Sequence, residues 1–116
     1  MFAVIFEVLP RDGQRDAYLD AAALLKHRLE NIEGFLSIDR FESLSQPGKL
    51  LSLSFWRDED AVRLWRTLDE HRQVQRAGRR QIFEDYRLRV AAVIRDYGMH
   101  DRTQAPEDSK SMHGFG

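Results

Sequence analysis

The chain predicts an α+β fold, a ferredoxin-like β-α-β-β-α-β sandwich, from three observations. Apolar spacing switches from alternation to helical periodicity and back along the chain. Turn residues punctuate the switches. The resulting order is that of one antiparallel four-stranded sheet with two helices on one face. Composition agrees with a single small domain: 116 residues, 42% hydrophobic and 32% charged, without cysteine and with a formal net charge of -1. No thiol means no disulfide scaffold, cysteine nucleophile, iron–sulfur cluster or thiolate zinc site, and the expected compartment is cytoplasmic. Balanced charge gives no electrostatic reason to expect a nucleic-acid backbone or an anionic membrane as partner. The domain is expected to span residues 1–97, with 98–116 as a C-terminal extension, either an arm or a disordered tail.

Each element has its own signal. Phe2 to Leu9 is aromatic and β-branched and closes on Pro10-Arg11-Asp12-Gly13, so it reads as a strand and a turn. From Gln14 the residues Tyr18, Ala21, Leu25, Arg28 and Ile32 fall three to four apart, widened by Ala22 and Leu29, with Gly34 as the stop of an amphipathic helix. Phe35 to Leu44 and Lys49 to Trp56 flank Ser45-Gln46-Pro47-Gly48 as the arms of a hairpin. In its first arm Leu36, Ile38 and Arg40 share one side; in its second, Leu51, Leu53 and Phe55 do. Asp58 can cap the next helix, whose inward stripe is Val62, Trp65 and Leu68. His71 to Arg80 reads as a short further helix, and Tyr86 to Tyr97 as the closing strand.

A sheet covered on one side only should be polar on the other. Here Phe2, Val4 and Phe6 alternate with Ala3 and Ile5, and Ala91 and Val93 add to a second apolar surface. The expectation is a two-fold homodimer that buries this surface.

The residues resemble the antibiotic biosynthesis monooxygenase family of dimeric α/β-barrel proteins over about residues 2 to 97. The resemblance rests on the element order, on Glu33-Gly34-Phe35 entering the second strand, on Phe55-Trp56-Arg57-Asp58-Glu59-Asp60-Ala61 leading into the second helix, on Trp65 and His71 along it, on Gly78-Arg79, and on a closing strand from Tyr86. It implies a small monooxygenase without a bound metal or flavin. The electron-rich phenol or hydroquinone itself reduces oxygen, and the protein supplies a pocket and a base. In the haem-degrading branch an asparagine, a tryptophan and a histidine carry the activity. Trp65 resembles that tryptophan, whereas the first strand carries Glu7 and no asparagine, and His71 lies one helical turn early.

Candidate residues follow from the chemistry. His71 titrates near neutrality and suits a general base. Trp65 reads first as core and also as a pocket wall beside Phe55, Trp56, Phe83 and Tyr86, whose faces would grip a flat ligand. Tyr86 could donate its hydroxyl to a substrate oxygen, and Glu7 is an alternative base. Arg72, Arg76 and Arg79 share one helix face and could hold a carboxylate or haem propionates, although a solvated charged face explains them as well. Arg40, Arg87 and Arg89 are read as interfacial salt-bridge partners. Nucleotide, zinc-protease, calcium and serine-hydrolase motifs are absent, and the spread of His27, His71, His100 and His113 reads as no metal site. Three functions stay open: a cofactor-independent monooxygenase acting on a small aromatic substrate with molecular oxygen, a haem-binding or haem-degrading monooxygenase, and a non-catalytic ligand-binding dimer.

Overall fold

The apolar run at the N-terminus becomes a central strand, because only a strand with neighbours on both sides can bury both of its faces and satisfy its backbone. The computed structural model describes residues 1–70 and 82–110. It runs β1 (Phe2–Pro10), α1 (Arg15–Leu29), β2 (Phe35–Glu42), β3 (Leu50–Trp56), α2 (Glu59–Glu70), β4 (Phe83–Ala92) and a one-turn helix α3 (Glu107–Lys110). The sheet is antiparallel throughout with order β2-β3-β1-β4. This is the expected ferredoxin-like α+β fold. The segment from His71 to Arg80, expected to be helical, lies outside the described residues.

Register sorts the side chains into two faces, since successive residues of a strand point opposite ways. On the helix side the cross-strand rows include Arg40–Ser52–Phe6–Leu88 and Ile38–Ser54–Val4–Val90. On the open side they include Phe41–Leu51–Glu7–Arg87 and Asp39–Leu53–Ile5–Arg89. Two packed groups fill the helix side. Val4, Leu29, Trp56, Ala61 and Val62 form one, with Leu25, Phe35 and Trp65 against it. Val8, Tyr18 and Leu50 form the other, with Phe6, Leu19 and Phe83 against it.

Two boundaries and one register differ from the sequence expectation. α1 ends at Leu29, five residues before Gly34, because Asn31 and Ile32 donate back to Arg28 and Leu29 in a tightened last turn. Gly34 then turns the chain into β2 at φ 91. Within β2 the register slips between Phe35 and Ser37, so Leu36 bulges out and Phe35 joins Ile38 and Arg40 on the helix side. The closing strand covers Phe83–Ala92 where Tyr86 to Tyr97 was expected. Its only neighbour among the described residues, β1, begins at Phe2, so pairing stops at Ala92 and one last bond from Val93 N–H to the Met1 carbonyl.

Beyond β4 the chain keeps local order. The Asp96 and Gly98 N–H groups donate to Gln104 Oε1 and the Asp101 carbonyl, Arg102 stacks over the Tyr97 ring at 5.2 Å, and Ala105 is buried. Among the described residues no helix is long and apolar enough to cross a membrane.

Candidate functional site

The junction between strand and second helix is built by two segments singled out in the sequence. Arg57 N–H donates to the Gly34 carbonyl at 2.7 Å, and a Cβ on Gly34 would sit 2.7 Å from that of Ala61. Glycine is required there both by its positive φ and by the close approach of α2. Asp58 caps α2 as expected, its Oδ1 accepting from Ala61 N–H at 2.9 Å. That bond first, and the Arg57 guanidinium at 3.1 Å second, hold the Asp58 carboxyl below its ordinary range. Glu33 adds a second partner for Arg57 at 3.5 Å.

This anchored junction aims α2 so that Trp65 meets Trp56. Trp56 is 1% exposed, donates its indole N–H to Ser54 Oγ at 2.9 Å, and packs edge-on against Phe35 at 5.2 Å. The Trp65 ring lies 5.9 Å from it, tilted by 35°. Its own indole Nε1 is buried and has no acceptor among the described residues. A buried donor left unmade costs free energy that an acceptor supplied by a ligand would recover. A second aromatic group stands along the same side of the sheet, where Phe6, Tyr18, Phe83 and Tyr86 meet with ring centroids 5.6 to 6.0 Å apart. Beside both groups, Leu88 and Val90 face the helix side yet remain 43% and 46% exposed, an apolar wall that the described helices leave open.

The candidate residues therefore divide. Trp56, Trp65, Phe83 and Tyr86 share the helix side. Phe55 and Glu7 do not: register puts both on the open face, where the Glu7 carboxylate lies 3.6 Å from Lys49 Nζ and 3.4 Å from Arg89. A carboxylate held between two cations on that face is poorly placed to serve as base for a helix-side pocket. Glu7 and Tyr86 do meet at the end of the sheet, where they line a polar groove of about 210 Å³ with Lys49, Asp85 and Arg87. His71 and Arg72, with Arg76 and Arg79, lie outside the described residues. Among the described residues no group of three or more His, Cys, Asp and Glu could hold a metal ion.

Two residues of the helix side escaped the sequence reading. Tyr18, expected only as part of the apolar stripe of α1, has its hydroxyl pushed up by burial and drawn down by the neighbouring Arg40 guanidinium. Arg40, expected as an interfacial ion-pair partner, lies instead in a row that faces the helices and has no carboxylate partner among the described residues. The signal for it was the parity of β2, which the bulge conceals.

The family model described as "Antibiotic biosynthesis monooxygenase" matches residues 1–77. The chain belongs to this monooxygenase family. Two curated relatives agree in sequence. Jasmonate monooxygenase ABM of Pyricularia oryzae is 52% identical over 93 residues, which are 80% of this chain and 43% of that protein, so the chain spans less than half of its length. The uncharacterized YqjZ of Bacillus subtilis is 28% identical over 102 residues, 88% of this chain and 87% of that one. A crystal structure of a family protein from Deinococcus radiodurans superposes with a TM-score of 0.72 at 16% identity, covering 84% of this chain and 97% of that one. Rv0793 of Mycobacterium tuberculosis gives 0.65 at 24% identity, over 84% and 98%. These two structures show the fold. The family gives a frame to the helix-side aromatics: the junction at Gly34 and Asp58, which sets their position, lies inside the matched residues.

Proposed function

We propose that the chain is a monooxygenase that holds a small, largely apolar ring compound on the helix side of its sheet. The observation that carries this reading is the open Leu88–Val90 wall beside two aromatic groups, with the unpartnered Trp65 indole N–H at hand to bind an oxygen of the ligand. Membership of the monooxygenase family supplies the reaction class. With a phenol or hydroquinone the balance closes without a cofactor. In a phenol the ring C–H opposite the hydroxyl becomes a second carbonyl; in a hydroquinone both hydroxyl carbons become carbonyls and a ring C–H becomes a hydroxyl. In either case one oxygen atom enters the product, the other leaves as water, and all four electrons come from the substrate. The protein removes the hydroxyl proton, a role for which His71 is the candidate base, and Trp65 with Phe83 and Tyr86 holds the ring.

The 52% identity to a jasmonate monooxygenase favours a second substrate, a non-aromatic ring carrying a carboxylate. Hydroxylating its C–H bond needs two further electrons, so an external reductant must join the reaction. Oxygen uptake decides between the two: a hydroquinone panel is consumed without additives, whereas jasmonate is consumed only with an added two-electron donor. No uptake under either condition overturns the monooxygenase reading. Trp65→Phe preserves ring packing and removes the N–H. Turnover should then fall roughly tenfold, the worth of one hydrogen bond, with little change in melting temperature; full activity would remove Trp65 from the site.

The open face supports a homodimer. Ile5, Leu51, Leu53 and Phe55 lie there partly exposed, with Phe41 half exposed, and Glu7, Arg87 and Arg89 supply charges of both signs that a two-fold partner can meet.

A further inference from the structure

We propose that Arg40 is the anchor for a carboxylate on the ligand, which makes the substrate class a small apolar acid. The proposal rests on the helix-side pocket of the reading above and adds the charge its occupant carries. Arg40 belongs to the row Arg40–Ser52–Phe6–Leu88 on the face covered by helices. Its Nε is cut off from solvent and has no acceptor among the described residues. Among the described residues the arginines in contact with a carboxylate, Arg15, Arg57, Arg63 and Arg89, sit at exposed positions, whereas Arg40 is half-buried and forms no ion pair.

A guanidinium turned into a protein layer without a counterion bears an uncompensated desolvation cost. The carboxylates nearest in the chain do not relieve it. Asp39 belongs to the open face, and Glu42 is engaged by Arg15 at 2.7 Å. Tyr18 offers only a neutral hydroxyl. An incoming carboxylate would accept from the arginine fork, geometry that guanidinium and carboxylate share.

The surroundings set the rest of the ligand. Ser52 is the next residue along the row, small and buried, so it places little bulk between Arg40 and Phe6. Tyr18 links Arg40 to Phe83 and through it to Phe6 and Tyr86. The row ends at Leu88, three strand spacings or about 14 Å from Arg40. An acid with its charge at Arg40 would lay an apolar ring or short chain along Phe6 towards Leu88 and Val90.

The test is equilibrium binding, followed by quenching of the tryptophan emission, which does not require turnover. The probes are jasmonic acid and 1-naphthoic acid, each compared with its uncharged methyl ester. The wild-type chain should prefer each acid to its ester. Arg40→Gln should weaken the acids by roughly 10- to 100-fold and leave the esters unchanged. Arg40→Lys, which keeps the charge, should retain part of the preference, and Arg28→Gln, an exposed position on α1, should retain all of it. A melting curve run on each variant identifies loss of fold, and should Arg40→Gln unfold, the acid-over-ester ratio of Arg40→Lys against wild type decides. An unchanged ratio in the Arg40 variants overturns the proposal, as does failure of both acids to bind the wild-type chain. Acid binding lost with Arg40 but no oxygen uptake under any condition would sink the monooxygenase reading and leave the anchor standing.

Discussion

Asp58 shows how one side chain carries both structure and pH response. Its carboxyl is held below its ordinary value of 3.8 by the Ala61 N–H and then by Arg57. A carboxyl with a depressed folded-state pKa contributes stability that is present above the unfolded value and is lost as pH falls through the folded one. Asp58→Ala should therefore lower the melting temperature at neutral pH, and the gap to wild type should close in acid below about 3.8. Thermal melts across that range check it; a gap independent of pH would assign the effect to packing. The cap was legible from Asp58 followed by acidic residues and an apolar stripe, because its chemistry is local. Arg40 was not. Whether a strand arginine meets a partner copy or a helix is decided by the parity of its strand and by residues distant in sequence, Tyr18 above all.

At the scale of elements, the sequence order of strands and helices was readable because each periodicity belongs to a contiguous segment. The ends were less so, since a strand stops where its neighbour stops: β4 is set by the start of β1 and not by its own alternation, which continues to Ile94. The approach of α2 to Gly34 is likewise a tertiary fact. It yields a sharp expectation, for Gly34→Ala places a side chain at positive φ against Ala61. Unfolding free energy should drop by roughly 1–3 kcal/mol, the usual cost of a strained backbone position, with more if α2 must shift. Chemical denaturation measures it, and a neutral substitution would show that the junction has slack. Because α2 carries Trp65, the same variant should reduce activity beyond its effect on the folded fraction.

For the whole molecule, the sheet divides its side chains between two unlike faces, with aromatics and Arg40 under the helices and Leu51, Leu53, Phe55 and Glu7 outside. Strand alternation already separates Phe55 from Trp56 and Glu7 from Phe6, but which of the two faces the helices cover is decided by residues distant in sequence, so Phe55 and Glu7 could not be assigned away from the pocket by sequence alone. If the outer face joins two copies, Leu53→Asp should convert a dimer to a monomer in analytical ultracentrifugation at micromolar concentration, while circular dichroism stays that of the wild type; a dimer that survives would move the interface elsewhere. Last, the bulge at Leu36 makes β2 a counting device. Deleting Leu36 joins Phe35 to Ser37 with the alternation intact, so Ile38 and Arg40 keep their side, whereas one residue inserted between Ser37 and Arg40 would deliver the guanidinium to the outer face. When relatives are aligned, a one-residue gap belongs at position 36, and a length change just after it should coincide with a different taste in ligands.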